Sequence, residues 1–592
     1  MVHNNESDYS FERVLRHISF VKGPRPDDCN GIHLVPDDLK CEFVRSTPSC
    51  AGGVFYLDYT NYLYCTIGAE RETCFKLGFA LLVILLLLCF TILGTTADQF
   101  FCPVLAVISN TLKISESVAG VTILAFGNGS PDIFTSLSHP DSDTEMMFGE
   151  LLGAALFVIG IVAGTVLLIQ PFHISPFGIV RDTLIFIFVV GWVTGCAYDE
   201  RFKLYDAIVV LAVYGIFLVI VLGEFISMKK RLAEVGSSIS LHGDLPMEDS
   251  HYKELRNETV VVIKPRRGGE RDEVDVQRNR VSVFRQGPFG VSPNYRLFSD
   301  FCDHLRPINK DEWQESGAFK RAITVMQTPV LFVLNLLIPT VDYTIERHGW
   351  CKLLNMLHCL TLPLTMLLID GFFFTTLWDV PLWRWWLLVA AVLLTTIFFT
   401  SRTDRPPFYH LAYAAMVFVG SIHVIYIVAQ EVVSLLATMG LVMKLSRSMI
   451  GLSVLAWGNS VGDLFSNITL AKQGYGKMAF AACLGGPLFN FYSTDLCLGL
   501  GIALGSKALK TKEHVAISRE GAMSENCEAF LIQLLATLLL ALLLTDFQGR
   551  RSIGLIMIII YLVFIVFCLL GELEIIHPYG TDHYPNDEPS EA

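Results

Sequence analysis

Residues 112–134, LKISESVAGVTILAFGNGSPDIF, and 443–465, MKLSRSMIGLSVLAWGNSVGDLF, are one segment written twice. They align without gaps at a constant spacing of 331 residues, from Lys113 with Lys444 to Phe134 with Phe465. Each copy places a polar, glycine-bearing interruption inside an apolar stretch. Two such copies in corresponding halves of a chain point to a binding site between the repeats of a transporter.

The surroundings are those of a bilayer. Runs such as LGFALLVILLLLCFTILGTT (77–96) are long enough to span. The chain is 52% hydrophobic and 17% charged. A net charge of −13 argues against a nucleic-acid partner and gives no reason to expect an anionic one; the apolar runs make membrane lipid the expected partner. Spans are expected at 77–96, 117–138, 146–170, 179–198 and 205–226. A second set is expected at 353–375, 383–400, 408–443, 449–470, 477–503, 527–546 and 553–573. The 408–443 segment is long enough to bend or to lie partly in the interface. PVLFVLNLLIP (329–339) is short and has proline at both ends. If the repeats are inverted, an odd number of spans must separate the two motif helices, so 329–339 reads as interfacial or re-entrant. The expected fold is all-α and polytopic, with about twelve spans: five, two extra and five.

This divides the chain into a Cys-containing N-terminal segment (1–75), a first repeat (76–226) and a soluble regulatory loop (227–325). The interfacial segment with two extra spans (326–400), a second repeat (401–575) and an acidic tail (576–592) follow. Both termini fall on one side and the loop on the other. Lys229, Lys230, Arg231, Arg402, Arg405, Arg550 and Arg551 gather on the loop side, as the positive-inside rule prefers, while Lys507, Lys510, Lys512 and Arg519 do not. LWRWWL (382–387) reads as an interface belt. RNRVS (278–282) in the loop resembles a site for a basophilic kinase; that kinase and a homo-oligomer are the protein partners to test.

Of 15 cysteines, Cys29, Cys41, Cys50, Cys65 and Cys74 precede the first span. That clustering suggests disulfides in an oxidising compartment, with one thiol left over. No apolar signal-peptide core precedes Leu77. FERVLRHISFVKG (11–23) reads either as a transit-type amphipathic helix or as ordinary ectodomain structure.

Asn128 and Asp132 are four apart, as are Asn459 and Asp463, so on a helix each pair shares one face. Gly127, Gly129 and Pro131 in the first copy, and Gly458 and Gly462 in the second, can interrupt the backbone ladder and free carbonyls. Carboxylate, amide and carbonyl oxygens, with Ser130 and Ser460, suit hard cations such as Na⁺ and Ca²⁺. Packing through small residues would explain the glycines and serines, but not a repeated intramembrane acid. Asp98 and Glu431 read as supporting groups or as interfacial anchors, and His423 as a packed or interfacial imidazole.

Each motif is followed by a second glycine-bearing helix, FGELLGAALFVIGIVAG (148–164) and AACLGGPLFNFYSTDLCLGLG (481–501). With GNGSPD, AWGNSVGD, LAKQGY and GGPLFN, the chain resembles the cation/calcium exchanger superfamily, and most of all its mitochondrial sodium/lithium/calcium branch. The resemblance implies two inverted five-helix α-repeat bundles, the sodium/calcium exchanger fold. It also implies Na⁺, and Li⁺, exchanged for Ca²⁺ by alternating access, with no cofactor and no enzymatic activity. It places Asn128, Asp132, Asn459, Ser460 and Asp463 among the ligands and Pro131 at the bend. Gly153 and Gly486 become points of close backbone approach, and Asn490 a further ligand. Where relatives often carry Asn or Asp, this chain has Val158. Glu150 could line the approach to the site. Asp495 is either a gate residue or a departure from the family helix. Two carboxylates balance one Ca²⁺ or two Na⁺, so near-electroneutral exchange is expected unless Glu150 or Asp495 joins the site.

The alternatives are a cation channel and an intramembrane aspartyl protease. The protease signatures Tyr-Asp and Gly-x-Gly-Asp are missing from Pro131-Asp132 and Ser460-Val461-Gly462-Asp463. The resemblance implies the mitochondrial inner membrane and Ca²⁺ efflux there, with the loop in the matrix. Plasma and endoplasmic reticulum membranes are the alternatives.

Overall fold

The structure, a computed structural model, describes residues 29–47, 50, 57–68, 72–127, 129, 144–198, 201–241, 294, 296–306, 317–445, 449–504, 514–516 and 522–572, a few of them by backbone alone. Thirteen main helices carry the described chain. They are α1 (72–112), α2 (Glu116–Gly127), α3 (144–169), α4 (Pro176–Tyr198), α5 (Leu204–Leu241), α6 (Ala318–Leu337) and α7 (Lys352–Ile369), followed by α8 (Leu382–Thr400), α9 (His410–Val442), α10 (450–472), α11 (Gly476–Leu504), α12 (Ala522–Leu544) and α13 (Arg551–Glu572). Among the described residues, nine helices are long and apolar enough to cross a membrane. The other three expected spans are the two motif helices, α2 and α10, and α11. α1 runs well past the expected 77–96, and α9 is one continuous helix of 33 residues.

Three short antiparallel ladders orient the bundle. β1 (Phe172–His173) pairs with β6 (Gln548–Gly549), β2 (Arg201–Lys203) with β5 (His514–Ala516), and β3 (Thr376–Leu377) with β4 (Val380–Pro381). α4 connects β1 to β2, so the first two ladders lie at opposite ends of that helix. α5 starts at the β2–β5 end and exits at the β1–β6 end, which is therefore the loop end. α13 starts beside β6 and finishes at the far end. The described N-terminal residues dock on the last turns of α9: His33 Nε2 lies 2.7 Å from Leu441 O, and the Thr60 and Thr438 hydroxyls are 3.2 Å apart. α10 then carries the chain back to the loop end, where Gly476 meets Phe172. Tags at the two termini should therefore be protected together, and a tag near Gly268 oppositely, in protease-protection or cysteine-labelling experiments. A terminus that shares its side with the loop would overturn this topology.

The N-terminal cap is closed by Cys29–Cys50 and Cys41–Cys65, and the leftover thiol is Cys74, which is exposed. Ile32, Phe43 and Leu63 form its buried interior. Two staples suit a cap with so little apolar surface of its own to bury. Burial pushes the His33 imidazole below its ordinary pKa, so the ring docks neutral.

The 329–339 segment belongs to the longer helix α6, whose tip lies deep in the bundle. The Asn335 carbonyl is 2.9 Å from His358 Nε2, and Ile338 packs with Leu362 beside Gly420. The chain then returns to the end it came from: Trp350 Nε1 donates to Arg402 O at 2.9 Å, and Lys352 Nζ donates to Ser401 O at 2.9 Å. α6 is thus re-entrant, and the parity that inverted repeats require is kept.

In lipid no hydrophobic force draws one apolar helix to another, so helix contacts depend on close packing. α3 and α13 cross at Gly164 and Gly554. A Cβ on Gly164 would lie 2.9 Å from Gly554 O, and one on Gly554 would lie 2.4 Å from Gly164 O.

Candidate functional site

α2 and α10 share an irregularity that follows the repeat. A π-turn occupies Gly120–Leu124 in one and Ile450–Leu455 in the other. At matching positions, the Thr122 hydroxyl donates to Val118 O and the Ser453 hydroxyl to Met449 O, each at 2.5 Å. A π-turn shifts the main-chain hydrogen bonds by one residue, so a hydroxyl one turn on can take up the displaced carbonyl. Neither residue stands out in the sequence until the copies are aligned, when a hydroxyl is seen to recur in place. The expected break at Gly458 and Gly462 does not occur: Ala456–Lys472 is regular α-helix. Those glycines make room instead, for Val433 (a Gly458 Cβ would lie 2.9 Å from its Cγ2) and for Ile425 (3.2 Å from Gly462).

Two further contacts obey the same symmetry. A Cβ on Gly153 would lie 2.3 Å from Leu452 O, and one on Gly485 would lie 2.7 Å from Val121 Cα. Leu452 and Val121 are repeat equivalents. The second-copy residue of close approach is thus Gly485 and not Gly486. Gly486 has only Asp463 Oδ1 nearby, 4.0 Å from where its Cβ would be. A side chain at 486 would therefore meet nothing nearer than that carboxylate.

The described candidate site residues link four helices in series, from α2 through α11 and α10 to α3. Gly129, itself helical, faces α11 so tightly that a Cβ would lie 2.3 Å from Asn490 Oδ1. Gly486, on α11, adjoins Asp463 on α10. One turn earlier, the Asn459 amide donates to the Glu150 carboxylate on α3. Ser460 is buried beside it. Glu150 therefore touches the second-repeat motif itself and does more than line an approach. Val158 is buried and opens a π-turn, Val158–Val162, so backbone irregularity sits where the side-chain oxygen is missing. Asn128, Ser130, Pro131 and Asp132 lie outside the described residues, as does the side chain of Asp495.

The remaining polar residues hold the scaffold. Asp98 accepts from Gln99 at 2.9 Å and from Gln473, at the end of α10, at 3.3 Å. Glu431 accepts from the Tyr59 hydroxyl of the cap at 2.5 Å. His423 lies 3.5 Å from the Asp370 carboxylate.

The sequence profile of the sodium/calcium exchanger proteins matches residues 82–223 and 413–570, one stretch in each half and each containing one motif copy. The chain belongs to the sodium/calcium exchanger family. It is 31% identical over 578 residues to the mitochondrial sodium/calcium exchanger protein of Mus musculus, covering 95% of this chain and 93% of the mouse protein. It is also 31% identical over 572 residues to the Homo sapiens protein of that name, covering 93% and 91%. Cation/calcium exchanger 1 of Arabidopsis thaliana is 26% identical over 534 residues, covering 83% and 81%. The solved sodium-calcium exchanger NCX_Mj overlaps 82% of this chain and 99% of its own at 14% identity and a TM-score of 0.41, too loosely to build on. Members of this exchanger family are multi-pass membrane transporters and not enzymes, so the aspartyl protease alternative falls.

Proposed function

We propose that the chain exchanges Na⁺ for Ca²⁺ as a secondary antiporter. One cation site, lined by α2, α3, α10 and α11, opens alternately to the two ends. The observation that carries this reading is the Asn459–Glu150 contact, with Gly153 and Gly485 behind it: motif residues of one repeat are completed by the third helix of the other. A site shared between two inverted halves can change its exposure when one half rocks against the other. That geometry favours exchange over a continuous channel. Asn128, Asp132, Ser130, Asn459, Ser460, Asp463 and Asn490 are the proposed ligands, shaped by Gly129, Pro131, Gly153, Gly462 and Gly486. Li⁺ transport is part of the proposal. So are residence in the mitochondrial inner membrane and a role in Ca²⁺ efflux, supported by the names of the mouse and human relatives and by a disulfide-closed cap opposite the loop. The segment boundaries, a homo-oligomer and a kinase acting on 227–325 also belong to it; crosslinking and phosphosite mapping test the last two.

The test is Ca²⁺ flux in reconstituted liposomes with Na⁺, Li⁺ or K⁺ gradients imposed in turn. Flux driven by Na⁺ and Li⁺ but not K⁺ is expected; flux indifferent to the cation gradient would refute exchange.

Glu150 changes the charge count. With Glu150 beside the second-repeat motif, a third carboxylate is available to the site, and exchange need not be near-electroneutral. Glu150→Gln keeps the shape and removes one charge. It is expected to weaken apparent Ca²⁺ affinity by roughly tenfold, the scale of one charge-assisted interaction. Unchanged half-saturation in flux assays would place Glu150 outside the site.

A further inference from the structure

Asn467 lies on α10 and is fully buried, yet neither its amide oxygen nor its amide nitrogen has a hydrogen-bond partner. Among the described residues it is the one buried amide with both ends unmatched; Asn61 and Asn355 each have a single unmatched atom. Its neighbour Ser466 is satisfied in the way a packing residue is, donating to Gly462 O at 2.8 Å. An unsatisfied buried polar group costs about 1–3 kcal/mol, so natural interiors keep few of them, and those few call for a reason such as a bound ion.

The placement supplies the reason. Ala456–Lys472 is regular α-helix, so residues 459, 463 and 467 succeed one another at one-turn intervals on one side of it, about 6 Å apart along the axis. Asn459 and Asp463 are the proposed second-repeat ligands. Asn467 continues the column toward Gly476 and the loop end. The equivalent first-copy position is Ser136, which also bears a side-chain oxygen.

We propose that Asn467 coordinates the transported cation at a second position, one turn beyond Asp463 on the loop side. This rests on the exchange reading. An amide oxygen there replaces part of the ion's hydration shell without adding charge. That holds an arriving or departing Na⁺ or Ca²⁺ loosely enough to let it pass on. The amide would then be satisfied by the cargo and not by the protein.

The test uses the purified full chain and Ca²⁺ itself. Asn467→Leu removes the polar atoms at similar volume. Its Tm without ions is expected to equal or exceed wild type, while the Ca²⁺ concentration giving half of the Ca²⁺-induced rise in Tm increases roughly tenfold. Asn467→Asp retains an oxygen and is expected to keep the wild-type half-saturation or lower it. If the Leu variant does not fold, Asn467→Ala carries the same comparison. Half-saturation within about twofold of wild type in the Leu or Ala variant, with Tm maintained, would make Asn467 a packing residue and overturn the proposal. Failure of all three variants to fold would do the same. Absence of Na⁺-driven flux and of any Ca²⁺-induced shift in wild type would instead sink the exchange reading.

Discussion

Asp463→Asn should abolish Na⁺-driven Ca²⁺ flux while leaving a folded protein. A Cβ on Gly486 would lie 4.0 Å from Asp463 Oδ1, and Asp463 shares a regular helix with Asn459. A Ca²⁺ ion entering the site gives up much of its hydration, and full negative charges are the main compensation. Removing one partner from a buried charge interaction costs about 3–5 kcal/mol, more than a hundredfold in rate if it is felt in the transport step. The amide is nearly isosteric, so elution in size-exclusion chromatography and Tm should match wild type. Asp132→Asn should behave alike by the repeat. Flux within a few-fold of wild type in the Asp463 variant, at equal protein level, would remove the acid from the ligand set.

Gly485→Ala and Gly486→Ala should part company despite being neighbours. The new methyl at 485 would sit 2.7 Å from Val121 Cα, and main chain cannot rotate away as a flexible side chain can. Overpacking of this kind costs about 1–3 kcal/mol. Here it also forces α11 off α2, so a clear fall in Tm and in membrane yield is expected. At 486 the methyl has room, with nothing nearer than Asp463 Oδ1 at 4.0 Å. That variant should fold at normal yield and show its effect in Ca²⁺ half-saturation. Equal Tm losses in the two variants would mean that the helix register deduced from Gly153 and Gly485 is wrong.

The repeat, the all-helical membrane architecture, the exceptional character of 329–339 and the spare cysteine were legible in the linear chain. Each depends on local quantities: apolar run length, turn-forming residues, the parity of crossings. The 112–134 and 443–465 copies also announced where chemistry must lie, because an acid in a membrane needs a reason wherever the helices pack. Contacts between helices were not legible. Which of Gly485 and Gly486 meets the facing backbone depends on a rotation of about 100° per residue about the helix axis, which composition does not encode. The same is true of Cys29 finding Cys50, and of Glu150 reaching Asn459 across 309 positions. The glycines of the second motif misled for a related reason: in isolation glycine weakens a helix, but α10 is clamped by its neighbours, and there glycine serves to admit Val433 and Ile425. Sequence determined that the chain carries two copies of one polar-interrupted segment, each set in an apolar run; tertiary packing alone decided which third-helix side chain, Glu150, meets the second copy, because that depends on the crossing geometry of whole helices.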